Sequence, residues 1–451
     1  MLFIESKFIK NKIHMSEKLN NSKDTIAQYQ HFDVVISGGG LSGSLMALSL
    51  LLIETSRDKP LSIAIVESAD TNEANNSASD HNIFDSRVLA LSHASAEYLK
   101  TLNVWSSIKA HAQPITDIHI SDRGKYGKAR IKSNQYINGN NDDIAAVGYV
   151  IEMSILGLAL QEALKRFSKN KDKLNDVNQP RLTWFTPDSI DTIKWKSGTV
   201  DLTLFSKTAL SASLLIGCDG AQSVCRTSAN IACKISHYQQ SAIITNVSTA
   251  KPHKGIAYER FTPNGPIAML PMVNAPKVGS CSSLVWTLTP AQAQEINLLS
   301  DDDFKIRLEQ CFGSWLGKIE NVGKRTSYPL SLVQAHEQIY HRMVLIGNAS
   351  HTIHPIAGQG FNLGLRDVQT FTKEITNALY QNEDIGSFHL LSRYAESRKK
   401  DHRLIISLTD SLVTLFSNDL FPLVLGRNIA LKALNYSPNI KKTFVNKTMG
   451  Y

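Results

Sequence analysis

The chain has 451 residues, 42% of them hydrophobic and 20% charged, with 25 Gly, 14 Pro and 5 Cys. That length exceeds one ordinary domain, and the composition excludes collagen-like, disulfide-scaffold and wholly disordered chains. The cysteines form no CxxC pair, which argues against a disulfide framework or a Cys-type zinc site and fits a reducing, cytoplasmic setting, while the net charge of +8 is scattered rather than blocked.

Residues 1–30 alternate short apolar groups with Lys, Asn and Ser and hold no secretory apolar core, so they are read as an unstructured leader, with Met15 an alternative start. Patterned sequence begins with a β-branched strand at 33–37, which runs into Gly38-Gly39-Gly40-Leu41-Ser42-Gly43 and a helical run over 44–54. Strand, GxGxxG and helix together make a phosphate-binding turn: glycines let backbone approach a pyrophosphate, and Gly43 lets helix and strand close up. A second strand at 61–66 ends in Glu67, 24 residues beyond Gly43, where an acid would hold the ribose hydroxyls of an adenosine and disfavour a 2′-phosphate. The rival reading is an ordinary βαβ turn with a surface acid.

Residues 85–102 carry helical spacing with Arg87 near the start, either a ligand or a solvated first-turn residue. A half-buried strand follows at 115–120, a polar loop at 133–143, helical spacing over 147–167, and strands with a hairpin from Trp184 to Phe205. The second motif is an apolar strand entering Gly217-Cys218-Asp219-Gly220, with Ser223 and Arg226 as polar donors on the following turn. An acid and a glycine at the carboxyl end of a buried strand sit where open α/β sheets place ligands. Residues 242–328, with Phe261, Met269 and Trp286, read as an antiparallel sheet with an apolar face and are taken as the substrate domain.

The third motif is the sharpest: a buried strand at 343–347, then a loop from Asn348 to Gly364 dense in Gly and Pro, then a long helix expected from Leu365. Backbone N–H groups left free there would receive an anion or an electron-rich ring edge. His351 and His354 suggest a metal only weakly, because their spacing precedes Pro355 and no third ligand is evident. The basic cluster Arg398, Lys399, Lys400 and Arg403 reads as a solvated helix face, and without a basic stripe or recognisable module nucleic-acid binding is set aside. Apolar residues Leu404, Ile405, Leu408, Leu412, Leu415 and Phe416 recur at helical spacing, but Asp410, Asn418 and Asp419 interrupt any spanning segment.

The three motifs in this order resemble the single-component flavoprotein aromatic hydroxylases, over roughly residues 32 to 450. Gly347 to Asp367, Gly148 to Glu152, Glu259-Arg260-Phe261, Gly265 to Ala268 and Arg427-Asn428 are similar to the ubiquinone-biosynthesis branch, especially its 2-octaprenyl-6-methoxyphenol hydroxylases. The resemblance implies an α/β fold: a Rossmann-like FAD-binding domain (31–112, 145–232, 335–397), an inserted antiparallel substrate domain (113–144, 233–334) and a helical C-terminal segment (398–451). It implies non-covalent FAD held by Gly38, Gly40, Ser42, Gly43, Glu67, Arg87, Asp219, Gly220, Gly347, Asn348, Pro355, Gly358, Gly360, Phe361 and Asn362. Asn348 stands where the wider family has Asp; an amide keeps an acceptor for a ribityl hydroxyl but loses the charge.

The implied reaction is NAD(P)H- and O2-dependent hydroxylation of a polyprenyl phenol, in which a phenolate is the better nucleophile. His354, in the presumed flavin loop, is the one candidate for a catalytic role, with no base assigned. Two rivals stay open: a flavin-dependent isoprenoid-lipid reductase, and a non-catalytic flavoprotein subunit of a ubiquinone-synthesising assembly. Homo-oligomerisation is left open, and an insoluble substrate makes peripheral contact with the inner membrane face an alternative to burial of the C-terminal segment, helped by Lys432, Lys441 and Lys442.

Overall fold

A computed structural model describes residues 29–54, 60–70, 87–133, 145–168, 181–274, 279–355 and 358–416, and beyond these 428, 430–433, 435–437, 442, 445 and 449–450. Residues 1–28 of the expected leader, nearly all of the 133–143 loop, Asn418, Asp419 and Lys441 lie outside the described residues. An eight-stranded sheet is built on five parallel strands in the order Met343–Leu345, Ala209–Gly217, Gln30–Ser37, Ile63–Val66, Leu182–Phe185. The hairpin Ile190–Trp195 and Val200–Leu204 pairs antiparallel with the first half of Ala209–Gly217. Alternation decides the layers: Val34 and Ile36 face helices Leu41–Leu51, Met153–Ser168 and Gln359–Tyr380, whereas Val35 joins Leu202, Leu215 and Leu345 on the other face. Each such fully buried aliphatic side chain contributes roughly 1.5–3 kcal/mol.

Two stretches expected as helix begin as strand. Val88–Ser92 pairs antiparallel with Gly148–Glu152, and helices His93–Thr101 and Met153–Ser168 start only after them. Short apolar runs have no decisive period of their own, and here a distant partner settles them. A Cβ on Gly148 would overlap the Leu91 carbonyl, so glycine permits the close pairing. With Gln113–Ile115 these strands make a three-stranded sheet.

The third sheet has nine strands, among them Asp117–Asp122, Lys128–Lys132, Cys233–Thr249, Ile256–Thr262, Gly265–Pro271, Ser280–Leu288 and Thr326–Ala335. It is mostly antiparallel, with one parallel pair between Asp117–Asp122 and Ile256–Thr262. Helices Pro290–Asn297 and Asp301–Phe312 cover one face, burying Ile243, Tyr258, Met269 and Trp286. The opposite face is met by the other sheets and by helix Phe388–Phe416, whose Ile405 and Val413 are buried. Among the described residues no helix is long and apolar enough to cross a membrane.

Candidate functional site

The three motifs, hundreds of residues apart, lie at the carboxyl ends of adjacent parallel strands. Gly38 has φ 95°, and a Cβ there would stand 2.5 Å from the Cys218 carbonyl oxygen, so motif one is packed directly on motif two. A Cβ on Gly43 would overlap the Gly38 carbonyl oxygen, which fixes how closely helix Leu41–Leu51 approaches its strand. Gly40 is the N-cap, no side chain caps it, and the space above it is open, leaving a helix N-terminus able to receive an anion. Glu67 follows its strand, where Oε2 accepts from Gly39 N (2.6 Å) and Oε1 from Ala69 N (2.9 Å). The carboxylate braces the glycine turn and keeps further lone pairs for hydroxyl donors.

In motif two, Asp219 Oδ2 accepts from Cys225 N (3.0 Å), while its Oδ1 is buried without a hydrogen-bond partner among the described residues. Gly220 has φ 79° and open space where a Cβ would be. The two residues expected as donors serve the scaffold: Ser223 caps helix Val224–Ser228, and the Arg226 guanidinium donates to the carbonyls of Ala221 (2.7 Å) and Ala349 (2.8 Å). Arg226 thereby ties motif two to motif three. Burial pushes the Cys218 thiol far above its ordinary value, so it is not a nucleophile.

Motif three closes the ring. Gly347 has φ 62°, and a Cβ there would be 2.9 Å from Ser42 Oγ, in the first turn of helix Leu41–Leu51. Asn348 is exposed in the short turn Gly347–Ala349, and Pro355 is half-buried. The long helix starts at Gln359 rather than Leu365, with Gly358 as a left-handed N-cap lacking a side-chain cap, so Gly360, Phe361 and Asn362 belong to its first turn. Asn362 is fully committed: Nδ2 donates to the carbonyls of Ala90 (2.8 Å) and Gly358 (2.9 Å), and Oδ1 accepts from Ser92 N (2.9 Å) and Ser95 Oγ (2.7 Å). The Asn362 amide thus has no hydrogen-bonding group left for a ligand, unlike the backbone N–H groups of the uncapped turn. His354 is buried against the Tyr238 ring, and burial brings its imidazole down to about 4, so it is neutral at physiological pH. Arg87 stands exposed just before Val88–Ser92, and among the described residues its guanidinium bonds to none of the motifs.

An uncapped helix N-terminus, a glycine cradle and an orphaned Asp219 oxygen are what a dinucleotide with a polyhydroxyl chain needs, so the residues fit FAD. A family model described as an FAD binding domain matches residues 198–407. Over 423 residues the chain is 33% identical to the ubiquinone hydroxylase UbiL of Rhodospirillum rubrum, covering 93% of this chain and 89% of that protein. The chain belongs to the flavin-dependent monooxygenases of ubiquinone biosynthesis. It is also 27% identical to the mitochondrial ubiquinone biosynthesis monooxygenase COQ6 of Dictyostelium discoideum, over 96% of each chain. The solved structure of p-nitrophenol 4-monooxygenase PnpA from Pseudomonas putida shares the fold, with TM-score 0.70 at 17% identity, covering 93% of this chain and 99% of that one.

One part of this monooxygenase site was missed in the sequence. Asp367, fully buried on helix Gln359–Tyr380, accepts from His351 Nε2 (2.8 Å), His402 Nε2 (2.7 Å) and Arg398 Nε (2.7 Å). Arg398 is therefore not part of a solvated face, although Lys399, Lys400 and Arg403 are exposed. Burial alone would raise the Asp367 carboxyl, yet His402 and His351 beside it hold it well below the carboxylate range. The third ligand thought lacking for His351 exists, since His351, Asp367 and His402 present ligand atoms within 4.8 Å of one another. A guanidinium already fills the cationic role at this carboxylate, so the group reads as an ion-pair brace joining motif three to helix Phe388–Phe416. Its one sequence signal is Arg398 and His402 at i, i+4, which puts both on one helix face.

Proposed function

We propose that the chain is a single-component monooxygenase that uses FAD, NAD(P)H and O2 to hydroxylate the ring of a polyprenyl phenol of the 2-octaprenyl-6-methoxyphenol type. The observation that supports this reading is the close packing of Gly38 on Cys218 and of Gly347 on Ser42, which brings the turns of the three motifs together. Gly38, Gly40, Ser42 and Gly43 would take the pyrophosphate at the helix N-terminus, and Glu67 the adenosine ribose. Asp219, with Gly220 leaving room, would offer its unpaired oxygen to a hydroxyl. Asn348 and the backbone of Gly347, Pro355, Gly358, Gly360, Phe361 and Asn362 would meet the ribityl chain and ring edge, with Arg87 near the phosphates. When bound, FAD supplies two-electron reduction by NAD(P)H and activation of O2.

The protein's own part is orientation and exclusion of water. Asn362 pins the first turn of Gln359–Tyr380 to strand Val88–Ser92, so the backbone edge there is preorganised rather than adjusted on binding. The substrate-class assignment rests on family membership and on the nine-stranded sheet, whose face away from its two covering helices lies on the side of motif three. The test is O2 consumption by the purified protein with NAD(P)H, dependent on an added polyprenyl phenol, with the hydroxylated ring identified by mass spectrometry. NAD(P)H oxidation that reduces an isoprenoid double bond without O2 would instead establish a reductase, and a bound flavin that NAD(P)H does not bleach would establish a non-catalytic subunit.

A further inference from the structure

Across the central strands of the nine-stranded sheet, part-exposed residues fall into register along one line, with Leu270, Ile256 and Arg260 part-exposed beside it. Within 241–249 only Ile244 is part-exposed, and within Ser280–Leu288 only Val285. Pairing places Ile244 opposite Val285, Val285 opposite Ala268, Ala268 opposite Glu259 and Glu259 opposite Ile120, and all five are part-exposed. These five side chains therefore lie under a gap in the layers that cover the sheet, and form its floor. Its side is fixed by parity: Tyr258 and Arg260 lie against Trp315 on the helix-covered face, so Glu259 between them points the other way.

That other face is the flavin side. Ala257, two residues before Glu259, packs with Val147 and Val150; Phe261, two after, packs with Val413 and Leu431. At the sheet's far edge Leu332 packs with Ile353 and Leu363 of motif three, and Gln334 pairs with His351. The floor is thus apolar, walled by motif three and helix Phe388–Phe416, and Glu259 is its one ionisable group. Among the described residues, Asp122 on this side accepts from Asn428 Nδ2 (3.2 Å), Tyr238 bonds Asp410, His354 is held neutral by burial, and Cys281 is buried against Ala257 and Val147.

Resting on the hydroxylase reading above, we infer that the row Ile244, Val285, Ala268, Glu259 and Ile120 seats the phenol ring and that the Glu259 carboxylate takes the phenol's proton. The O–H bond breaks, the proton passes to a carboxylate oxygen, and the electron pair stays on the phenolate oxygen, activating the ring carbon. Burial lifts the Glu259 carboxyl to about 7, with no charged partner offsetting it, which places the base near working pH. In water the same proton would leave only near pH 10, the ordinary range of a phenol.

The test uses the full-length FAD-loaded enzyme and the single-isoprene analogue 2-prenyl-6-methoxyphenol. With it, kcat/KM is expected to rise as pH passes through about 7, where the Glu259 carboxylate forms, and to level off above. A kcat/KM that is flat through pH 7 and climbs only toward pH 10 overturns the inference without needing any variant. Glu259→Gln is expected to keep FAD, lose that rise and lose kcat by about 100-fold, with KM changed far less. A ring-fluorinated, more acidic phenol is expected to recover most of the loss, which a merely structural defect would not allow. Unchanged hydroxylation in Glu259→Gln, or equal loss with both phenols, overturns the proton-acceptor role. Absence of phenol-dependent O2 consumption in the wild type would instead overturn the hydroxylase reading, and this inference with it.

Discussion

Replacing Asp367 by Asn tests whether the buried brace holds motif three in place. The carboxylate takes three charge-assisted or imidazole hydrogen bonds, from His351, His402 and Arg398, at a position with no solvent exposure. Asn keeps an acceptor but removes the charge and turns an N–H donor toward an imidazole. Arg398 keeps its contact to Asp401 (2.7 Å), so it is weakened rather than abandoned. Breaking one partner of a buried pair costs about 3–5 kcal/mol, and the surviving Asp401 contact puts this case at the lower end, a roughly 150-fold change in the folded ratio. The assay is urea unfolding with FAD occupancy followed in parallel, since His351 is part of motif three and its release should loosen the cofactor. The pH dependence has a definite sign. A carboxyl held below its unfolded value stabilises the fold above the ordinary carboxylate range and loses that contribution as pH falls through its depressed folded value. The deficit of Asp367→Asn should therefore be full at neutral pH and shrink in strong acid. The double variant Asp367→Asn/Arg398→Met, which removes both charges, should be no less stable than Asp367→Asn alone. A single variant within 0.5 kcal/mol of wild type, below the roughly 0.5–1.5 kcal/mol of even one net hydrogen bond, would refute the brace.

Other positions make equally direct demands. Gly43→Ala places a Cβ inside the Gly38 carbonyl and should cost about 1–3 kcal/mol by overpacking while lowering flavin content; a fully yellow, equally stable variant would sink the proposed pyrophosphate seat. Glu259, whose carboxyl lies near 7 when folded, binds its proton more tightly in the native state, so stability falls as pH rises from about 4.5 to 7. Glu259→Gln should lack that fall and gain up to about 3 kcal/mol above pH 7, measured as melting against pH. Truncation after Lys400 removes His402, Ile405 and Val413, all buried, so it should yield no soluble flavoprotein; a soluble yellow product would return that helix to a purely interfacial role.

What was legible in the sequence is what chemistry forces into a contiguous string. The glycines of motif one, Asp219-Gly220 and the Gly-Pro loop of motif three announce themselves because tight turns and close backbone approach demand such residues at fixed spacing, and the structure adds that they lie against one another. Val88–Ser92 misled because four apolar residues and a serine before a helix satisfy a helical period as well as a strand, and the deciding partner, Gly148–Glu152, is more than fifty residues away. Arg398 misled for a related reason: beside Lys399, Lys400 and Arg403 it has the local composition of a solvated face, while its ligand sits on another helix. Glu259 lies deepest, because nothing about Tyr-Glu-Arg-Phe separates a surface strand from a pocket floor. Its meaning comes from four cross-strand registers that line up one part-exposed residue from each strand, a pattern perpendicular to the chain and therefore absent from any window along it. Motifs that bind a cofactor common to many proteins are written along the sequence, whereas the surface that selects one substrate is assembled across it.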